Sequence, residues 1–335
     1  MNSIELIIFF CLLLTSMLYG LIIILFTLGW KKLKTLLPCK PPQNLLSVII
    51  PVRNEADKIA SLIEMLVLQD YPTDLYEVIF VNDHSTDKSA EQLKAYINKE
   101  NFFYVEQLPG QKGKKQALAM GISQARGNII VSSDADCKPA KGWLKSIDAY
   151  FQQGDYKMLA GPVAVENPSG CLAIFQAIEF ISLQGSGAGA IGIGMPIMCN
   201  GANLAFTKTS FNEVNGYKGN EHIPGGDDIF LLEKFKKTFG SKSIGFIKDP
   251  AAILHTPAAT GLNEFFKQRI RWVSKSPAYH DPFLIFTSII VLLFNLLILL
   301  SLLGAIISSS WIMLIVAFAA IIYKSIIDLP LLYMV

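Results

Sequence analysis

The chain has 335 residues and a formal net charge of +2, and its composition is 52% hydrophobic and only 17% charged. So apolar a composition is unusual for a wholly soluble protein, and the charges are concentrated in the middle of the sequence, which indicates a soluble domain between membrane segments. The small net charge, without a basic stripe interleaved with aromatic residues, argues against a nucleic-acid partner. The five cysteines include no CxxC pair, which argues against a zinc or dithiol site and suits a reducing cytosol.

The first apolar segment, Ile4 to Leu28, is long enough to cross the hydrocarbon core of a membrane. A basic cluster at residues 31–34 follows it, whereas a cleavable secretory signal begins with its basic residues. We therefore predict a retained transmembrane anchor in residues 1–30 and a linker in residues 31–45. Because positively charged flanks remain in the cytoplasm, the domain after the anchor should be cytoplasmic.

Residues 46–276 alternate short β-branched segments with helical ones, the pattern of βαβ units around a mostly parallel sheet. The predicted strands are Ser47–Val52, Glu77–Val81, Phe102–Glu106 and Asn128–Ser132. Ligands of such sheets bind at the carboxyl ends of the strands. The residues directly after these strands are therefore the first candidates for a site.

Polar side chains follow three of the predicted strands. Asn54 and Glu55 come after the first strand, Asp83 after the second, and Asp134 and Asp136 after the fourth. Three strand ends that place polar groups at one edge of a sheet predict a single site. Asn54 is also a plausible cap for the helix that follows it.

Asp134 and Asp136 form a DxD triplet at the exit of a strand. Two such carboxylates repel each other, but they become favourable together when a hard divalent cation lies between them and a diphosphate. An acidic triplet that caps a helix or faces solvent is the alternative. Lys114 begins a predicted helix, where it would either offset phosphate charge or remain a solvated lysine.

Two glycine-containing segments lead to different predictions. Asp227 and Asp228 follow a Gly-Gly pair and open a predicted helix, so they are either functional acids or a surface cap. Residues 187–192 match GxGxxG, but no strand precedes them and no acidic ribose partner follows, which argues against a dinucleotide site. We expect a flexible or membrane-apposed loop there.

The C-terminal part contains two more apolar segments, 283–307 and 309–327, which a short serine connection joins into a transmembrane hairpin. Residues 328–335 look like the start of a further apolar segment or a truncated C-terminus. Just before the hairpin, residues 268–272 read QRIRW, and arginine and tryptophan are common at membrane edges.

Taken together, the motifs between Ser47 and Trp272 resemble those of the family-two inverting glycosyltransferases, which have a GT-A fold. The resemblance implies a Rossmann-like cytosolic domain with transmembrane helices at both ends. Six residues would contact the nucleotide by this resemblance: Pro51, Asn54, Glu55, Asp83, Lys114 and Asp134.

The resemblance also implies roles for the remaining motifs. Asp134 and Asp136 would bind a divalent cation, Mg²⁺ or Mn²⁺, with Asp136 as the more direct ligand. Asp228 would be the catalytic base, supported by Asp227. The residues on the acceptor and diphosphate side would be Gly201, Ala202, Gln268, Arg271 and Trp272.

The implied activity is sugar transfer from a nucleotide sugar, with a UDP-sugar favoured, to a lipid or membrane-proximal glycan acceptor. The enzyme would be a multi-pass protein of the inner (plasma) membrane with a cytoplasmic catalytic domain. The complete QxxRW motif is typical of processive polysaccharide synthases, so processive synthesis is an alternative. A non-catalytic scaffold with this fold and a nucleotidyltransferase that forms sugar nucleotides are further alternatives.

Overall fold

The structure is a computed structural model that describes residues 3–36, 38–97, 101–110, 112–219, 223 and 225–335. Its helices and strands are, in chain order, α1 (Ser3–Lys32), β1 (Leu46–Val52), α2 (Ala56–Val67), β2 (Tyr76–Asn82), α3 (Ser89–Tyr96), β3 (Phe102–Glu106), α4 (Lys114–Gln124), β4 (Ile129–Ser132), β5 (Lys138–Pro139), α5 (Trp143–Gln153), β6 (Met158–Ala160), β7 (Val163–Val165), α6 (Cys171–Gly192), β8 (Leu204–Thr207), α7 (Lys208–Glu213), α8 (Asp227–Phe239), β9 (Ile244–Phe246), β10 (Leu254–Thr256), α9 (Leu262–Val273), α10 (Pro282–Ile307) and α11 (Trp311–Met334).

The central element is a seven-stranded sheet with the order β3-β2-β1-β4-β8-β6-β9. The first four strands of the chain run parallel to one another, with Leu46 opposite both Tyr76 and Ile129. Strand β8 runs antiparallel to both of its neighbours. The predicted α/β fold with a mostly parallel sheet is therefore confirmed. A smaller sheet, β5-β10-β7, was not predicted, because its strands have only two or three residues.

Alternate residues of β1 enter two different cores, because successive side chains of a strand point to opposite faces. Ile49 packs in the cluster that includes residues of α1, α4 and α8. Val48 and Ile50 pack in the other cluster, with residues of α2 and α5. All three side chains are fully buried, and each contributes roughly 1.5–3 kcal/mol by burial. With both faces covered, the sheet presents its polar groups at the strand ends.

Helices α1 and α6 pack with direct contact between their backbones. A Cβ atom on Gly29 would lie 1.9 Å from the carbonyl oxygen of Gly189, and one on Gly189 would lie 2.3 Å from that of Phe26. The prediction of a loop at residues 187–192 is therefore wrong, because these residues form the last part of α6. Its glycines allow two helices to approach closely, as small residues do between membrane helices.

Four of the described helices, α1, α6, α10 and α11, are long and apolar enough to cross a membrane. Helix α11 contacts α1 through polar groups: the Tyr19 hydroxyl donates to Asp328 Oδ1 at 2.6 Å, and Lys324 Nζ donates to the Tyr19 hydroxyl at 2.6 Å. Lys324 also forms an ion pair with Asp328, one turn away. Helix α11 continues through Pro330, so the prediction that 328–335 starts a separate segment is wrong. These contacts pair the charges of Lys324 and Asp328 within the helix bundle.

The predicted linker, residues 31–45, is bound to the domain. The carboxylate of Asp148 on α5 accepts bonds from the N–H groups of Gln43 and Asn44 and, at 2.6 Å, from Asn44 Nδ2. The Tyr150 hydroxyl donates to the carbonyl oxygen of Lys34 at 3.0 Å. The chain between α1 and β1 therefore follows α5 in the described residues.

Helix α8 is joined to the start of α10. Lys236 forms an ion pair with Asp281, whose Oδ1 also accepts the N–H groups of Phe283 and Leu284 and so caps α10. The Glu233 carboxylate accepts the backbone N–H groups of Asp281 and of the residue before it, both at 3.1 Å. The helix that begins with Asp227 and Asp228 is therefore fixed to the first helix of the C-terminal hairpin.

Candidate active site

The loops after β1 and β2 are hydrogen-bonded to each other. Asn54 has a left-handed backbone with φ of +56°, and its Oδ1 accepts the N–H of Thr86 at 2.8 Å. The N–H of Asn54 donates to the Ser85 hydroxyl at 3.1 Å. Asn54 is therefore not the predicted helix cap. Glu55 occupies that position and makes no capping bond with its side chain.

Asp83 connects the end of β2 to the start of α4. Its carboxylate is only 4% exposed and accepts the Gly113 N–H at 3.0 and 3.1 Å, while an Arg53 guanidinium nitrogen lies 3.6 Å away. Gly113 has a φ of +99°, in the region that favours glycine. The Gly113 conformation thus turns its N–H toward Asp83, just before Lys114.

Lys114 links two of the predicted acidic motifs. Its ammonium nitrogen lies 2.6 Å from Asp134 Oδ1 and 3.7 Å from Asp227 Oδ2. Burial alone would lower the pKa of Lys114, but the carboxylates of Asp134 and Asp227 outweigh it and raise that pKa above its usual value. Lys114 is therefore a permanent cation at the sheet edge, and the solvated-lysine alternative does not describe it.

Asp136 lies beside a second acid–lysine pair. Burial, followed by the nearby Asp134 carboxylate, raises the pKa of Asp136, whereas Lys58 acts to lower it. Lys58 itself bonds Glu55 at 2.6 Å. An open cleft of about 190 Å³ adjoins this group, lined by Asp57, Lys58, Ser61, Leu62, Ala135, Asp136, Cys137, Lys138, Glu166 and Pro257.

Asp227 and Asp228 begin α8 and face the loop that precedes β8. Asp228 Oδ2 accepts the Gly201 N–H at 3.1 Å, and its Oδ1 accepts the N–H of Ile229 at 2.8 Å. Burial and the adjacent Asp227 raise the pKa of Asp228. A Cβ atom on Gly201 would lie 3.3 Å from Asp227 Oδ2, so glycine leaves the acids room. Ala202 bonds locally, its N–H donating to Asn200 Oδ1 at 3.0 Å.

The acidic groups fit a divalent cation that arrives with a phosphate ligand. In the residues that the structure describes, no three His, Cys, Asp or Glu side chains converge as a metal cluster. Mg²⁺, however, is commonly held by one or two carboxylates together with substrate phosphates. Asp134 and Asp136 supply that number of carboxylates. Burial first, and then repulsion from Asp134, raises the pKa of Asp136, and a bound cation would offset both effects.

The QxxRW segment on α9 is held against α6. The rings of Trp272 and Phe180 are 5.9 Å apart, and the Arg269 guanidinium lies 4.4 Å from the Trp272 ring. Arg269 also forms an ion pair with Glu179 and contacts Gln268. Arg269, which carried no predicted role, thus fixes the orientation of the motif.

Two further lysines at the site were missed from the sequence. Lys58 pairs with Glu55 near Asp136, and Lys275 lies against Gly225, where a Cβ atom would be 2.4 Å from its Nζ. The only sequence signal for Lys275 is its position just beyond the QxxRW motif. Its closeness to the start of α8 depends on the tertiary fold.

The structure brings most of the predicted site residues to one edge of the sheet. A chain of contacts connects Asp83 through the Gly113–Lys114 turn to Asp134 and to Asp227. The order β2-β1-β4 places the Pro51–Glu55 segment between the ends of β2 and β4. The contacts of Gln268 and Trp272 described above run instead to their own helix and to α6.

Comparisons with known proteins indicate a family for part of the chain. The family model described as Glycosyl transferase family 2 matches residues 47–175. The chain is 32% identical over 142 residues to glycosyltransferase AglE of Haloferax volcanii, covering 41% of this chain and 45% of that protein. It is 27% identical over 240 residues to the probable glycosyltransferase YdaM of Bacillus subtilis, covering 68% and 54%. The chain thus spans about half the length of these curated relatives.

A solved structure with a similar fold is the mannosyltransferase PcManGT from Pyrobaculum calidifontis, in complex with GDP-Man and Mn²⁺. The TM-score is 0.64 at 18% sequence identity, with 98% of this chain and 97% of that chain covered. At this identity the likeness shows a shared fold. Residues 47–175 therefore match the model of the family-two glycosyltransferases, and the whole chain has a GT-A-like α/β fold. The family match and the named relatives support a glycosyltransferase enzyme.

Proposed function

We propose that the chain is an inverting, membrane-embedded glycosyltransferase that moves a sugar from a nucleotide sugar to a lipid or membrane-proximal glycan. The observation that carries the proposal is the chain of contacts from Asp83 through Lys114 to Asp134 and Asp227, beside Asp228. These contacts bring five groups to one edge of the sheet. In the proposal, Asp83 would bind the nucleotide, Lys114 would supply a positive charge, Asp134 would bind a metal ion, and Asp227 and Asp228 would form the catalytic pair.

The donor side of the site is the edge formed by β1, β2 and β4. Asp83 and the Pro51–Glu55 segment would bind the nucleoside, while Lys114 would stabilise negative charge on the departing diphosphate. Asp134 and Asp136 would hold Mg²⁺ or Mn²⁺, which when bound neutralises diphosphate charge. We favour a UDP-sugar as donor; PcManGT, which has a similar fold, was solved with GDP-Man and Mn²⁺.

The acceptor side contains the base. The acceptor hydroxyl oxygen attacks the anomeric carbon, its proton passes to Asp228, and the bond from that carbon to the diphosphate breaks, so that the diphosphate leaves with the electron pair. A raised pKa suits Asp228 for this role, because a base whose pKa is closer to neutral takes up a proton more readily. Gly201 holds Asp228 in place through its backbone N–H.

We further propose that α1, α10 and α11 cross the inner membrane and that the domain is cytoplasmic. Helix α6 has a spanning length, but a crossing there would separate β7 from β8. Strand β8 lies in the middle of the main sheet, and β7 pairs with β10 on the same domain. Helix α6 therefore packs beside α1 without crossing.

Transfer by the purified full chain in detergent tests the proposal. A panel of UDP- and GDP-sugars would be supplied with a membrane lipid extract, and product would be detected by mass spectrometry. We expect one donor to be used by the wild type and by Asp155→Asn, an exposed control, and not by Asp228→Asn. Binding of every donor without transfer to any fraction of the extract would indicate the non-catalytic scaffold.

The complete QxxRW motif favours processive polysaccharide synthesis as a second candidate function. Product length separates the two candidates. A ladder of products whose length grows with donor concentration would indicate a synthase, whereas a single added sugar at saturating donor supports limited transfer. The ordered packing of Gln268 and Trp272 in α9 is compatible with both outcomes.

A further inference from the structure

Two consecutive lysines begin α4, and both reach toward the start of α8. Lys114 makes the contacts with Asp134 and Asp227 that are described above. Lys115 is only 7% exposed, and its ammonium group donates to the carbonyl oxygen of Ile223 at 2.9 Å. Ile223 lies four residues before Asp227. Lys115 therefore contacts the segment that leads into the proposed catalytic acids.

Lys115 also contacts α8 itself. Its ammonium nitrogen lies 5.0 Å from the centre of the Phe230 ring, within the distance of a cation–π interaction. Phe230 is 4% exposed, and its ring centre lies 5.5 Å from that of Tyr279. A Cβ atom on Gly226 would lie 2.9 Å from Cε2 of Phe230, so the ring lies directly against the turn before Asp227. The Phe230 ring is thus held between Lys115 and Tyr279.

The two contacts of Lys115 lie on either side of a flexible turn. The glycine pair 225–226 has φ angles of +75° and +67°, and two glycines together give the backbone much conformational freedom. Ile223 precedes the pair and Phe230 follows it, and Lys115 contacts both. Because one side chain holds both ends of the turn, it limits the positions that the Asp228 carboxylate can adopt.

We propose that Lys115 is a positioning residue that holds the start of α8, so that the Asp228 carboxylate faces the acceptor hydroxyl. This inference rests on the proposed function and adds to it a residue that acts through the turn before α8. The placement of the base matters, because a shift of about 1 Å can lower a rate by about 10². A buried lysine that only stabilises the fold is the alternative, and the two roles differ in how the loss of the lysine changes kcat.

The first experiment compares two lysines that each donate to a backbone carbonyl oxygen. Lys115→Met keeps an apolar stem but loses the bond to Ile223. Lys208→Met is the matched control, since Lys208 Nζ donates to the carbonyl oxygen of Ala125 at 2.6 Å, at the other end of α4. We expect Lys115→Met to lower kcat roughly tenfold to a hundredfold, with UDP binding close to that of the wild type. Lys208→Met should retain the wild-type kcat.

The thermal midpoints separate stability from positioning. Each variant loses a hydrogen bond from a charged donor, so both midpoints should fall. Equal losses of kcat in the two variants would overturn the proposal, because Lys115 would then act through general stability. An unchanged kcat in Lys115→Met would overturn it as well. Weaker UDP binding in that variant, with kcat unchanged, would assign the lysine to the donor side instead.

A double variant tests whether Lys115 acts through α8. Phe230→Leu removes the ring and keeps an apolar side chain at that position. Effects of residues that act through one contact are not additive. If both residues hold the same turn, the double variant should lose about as much kcat as the more damaged single variant. Losses of kcat that multiply in the double variant would show independent effects and would overturn the proposal.

Hydrogen exchange keeps this inference separate from the proposed function. The N–H of Phe230 donates to the Gly226 carbonyl oxygen at 3.0 Å in the first turn of α8. In Lys115→Met the amides of residues 226–232 should exchange roughly tenfold or more faster than in the wild type, and in Lys208→Met they should not. Faster exchange with no sugar transfer by the wild type would reject the glycosyltransferase proposal but keep the role of Lys115 in holding the start of α8. Unchanged exchange in Lys115→Met would reject that role, even if the wild type transfers sugar.

Discussion

Replacement of Asp228 by asparagine is the sharpest test of the site, because catalysis and stability should respond differently. Both carboxylate oxygens accept backbone bonds, from Gly201 at 3.1 Å and Ile229 at 2.8 Å. Asparagine retains one acceptor oxygen, so about one bond is lost, at about 0.5–1.5 kcal/mol. Removal of a buried charge beside Asp227 offsets part of that cost. For a domain of this size we expect the thermal midpoint to shift by only a few degrees.

Turnover should respond far more strongly. Loss of a general base typically lowers the rate by roughly 10² to 10⁴, which corresponds to about 2.7–5.4 kcal/mol in the activation barrier. The assay compares donor binding, thermal midpoint and turnover at saturating substrates for Asp228→Asn and Asp227→Asn. Turnover within a few fold of wild type in Asp228→Asn, with an inactive Asp227→Asn, would refute the assignment and make Asp227 the base.

The pH profile gives an independent check on the same residue. Burial, and then Asp227, raises the pKa of Asp228, and a base must be unprotonated to act. Activity should therefore decline as the pH falls through this raised pKa, at a higher pH than for an ordinary aspartate. Asp227→Asn removes the like charge and should move the decline to lower pH. Stability should change with pH in the opposite direction to activity. As the pH rises through the raised pKa, Asp228 becomes a buried carboxylate, and the free energy of unfolding should fall.

Three other predictions concern the metal ion, the membrane topology and the packing of α1 against α6. Transfer should be abolished by excess EDTA and by Asp136→Ala. Undiminished activity in either case would contradict the assignment of Asp134 and Asp136 as metal ligands. In a cysteine-free background, Lys31→Cys should react with an impermeant reagent only after the cells are opened, whereas Ser308→Cys should react in intact cells; the reverse result would invert the topology. Gly189→Leu should lower the free energy of unfolding by about 1–3 kcal/mol or more through overpacking, and so lower the thermal midpoint. The control Gly261→Leu, which has open space at its Cβ, should leave the midpoint unchanged. Equal midpoints in the two variants would show that α1 and α6 do not need their close contact.

The first half of the fold was predictable because its signals are local. Strands β1 to β4 are short segments rich in β-branched or aromatic residues, and the predicted bounds lie within a residue or so of those observed. The acids after these strands were predicted to meet because parallel neighbours end at one edge, and the contact of Lys114 with Asp134 is a consequence of that order. The pattern of short strands and their order in the sheet were therefore sufficient to predict this part of the site.

The second half depends on contacts between distant parts of the chain. The glycines of α6 looked like a loop, because their role appears only when Gly29 of α1 packs against them. Lys275 was overlooked because the sequence does not reveal that it crosses the glycine turn before α8. The roles assigned to Asp228, Gln268 and Trp272 stay predictions, since the described contacts fix their positions and not their chemistry.

The junction between α8 and α10 fixes the distance between the start of α8 and the start of α10. Glu233 and Lys236 attach α8 to the cap of α10, and Asp228, the proposed base, lies five residues before Glu233, about 7.5 Å along the helix. In the proposed function, the base is therefore held at a set height from the end of a membrane helix. An acceptor hydroxyl much farther from its lipid would lie above that height. The distance between the base and the end of α10 would thus limit which acceptors react, and a glycan that had grown beyond that distance would no longer be a substrate.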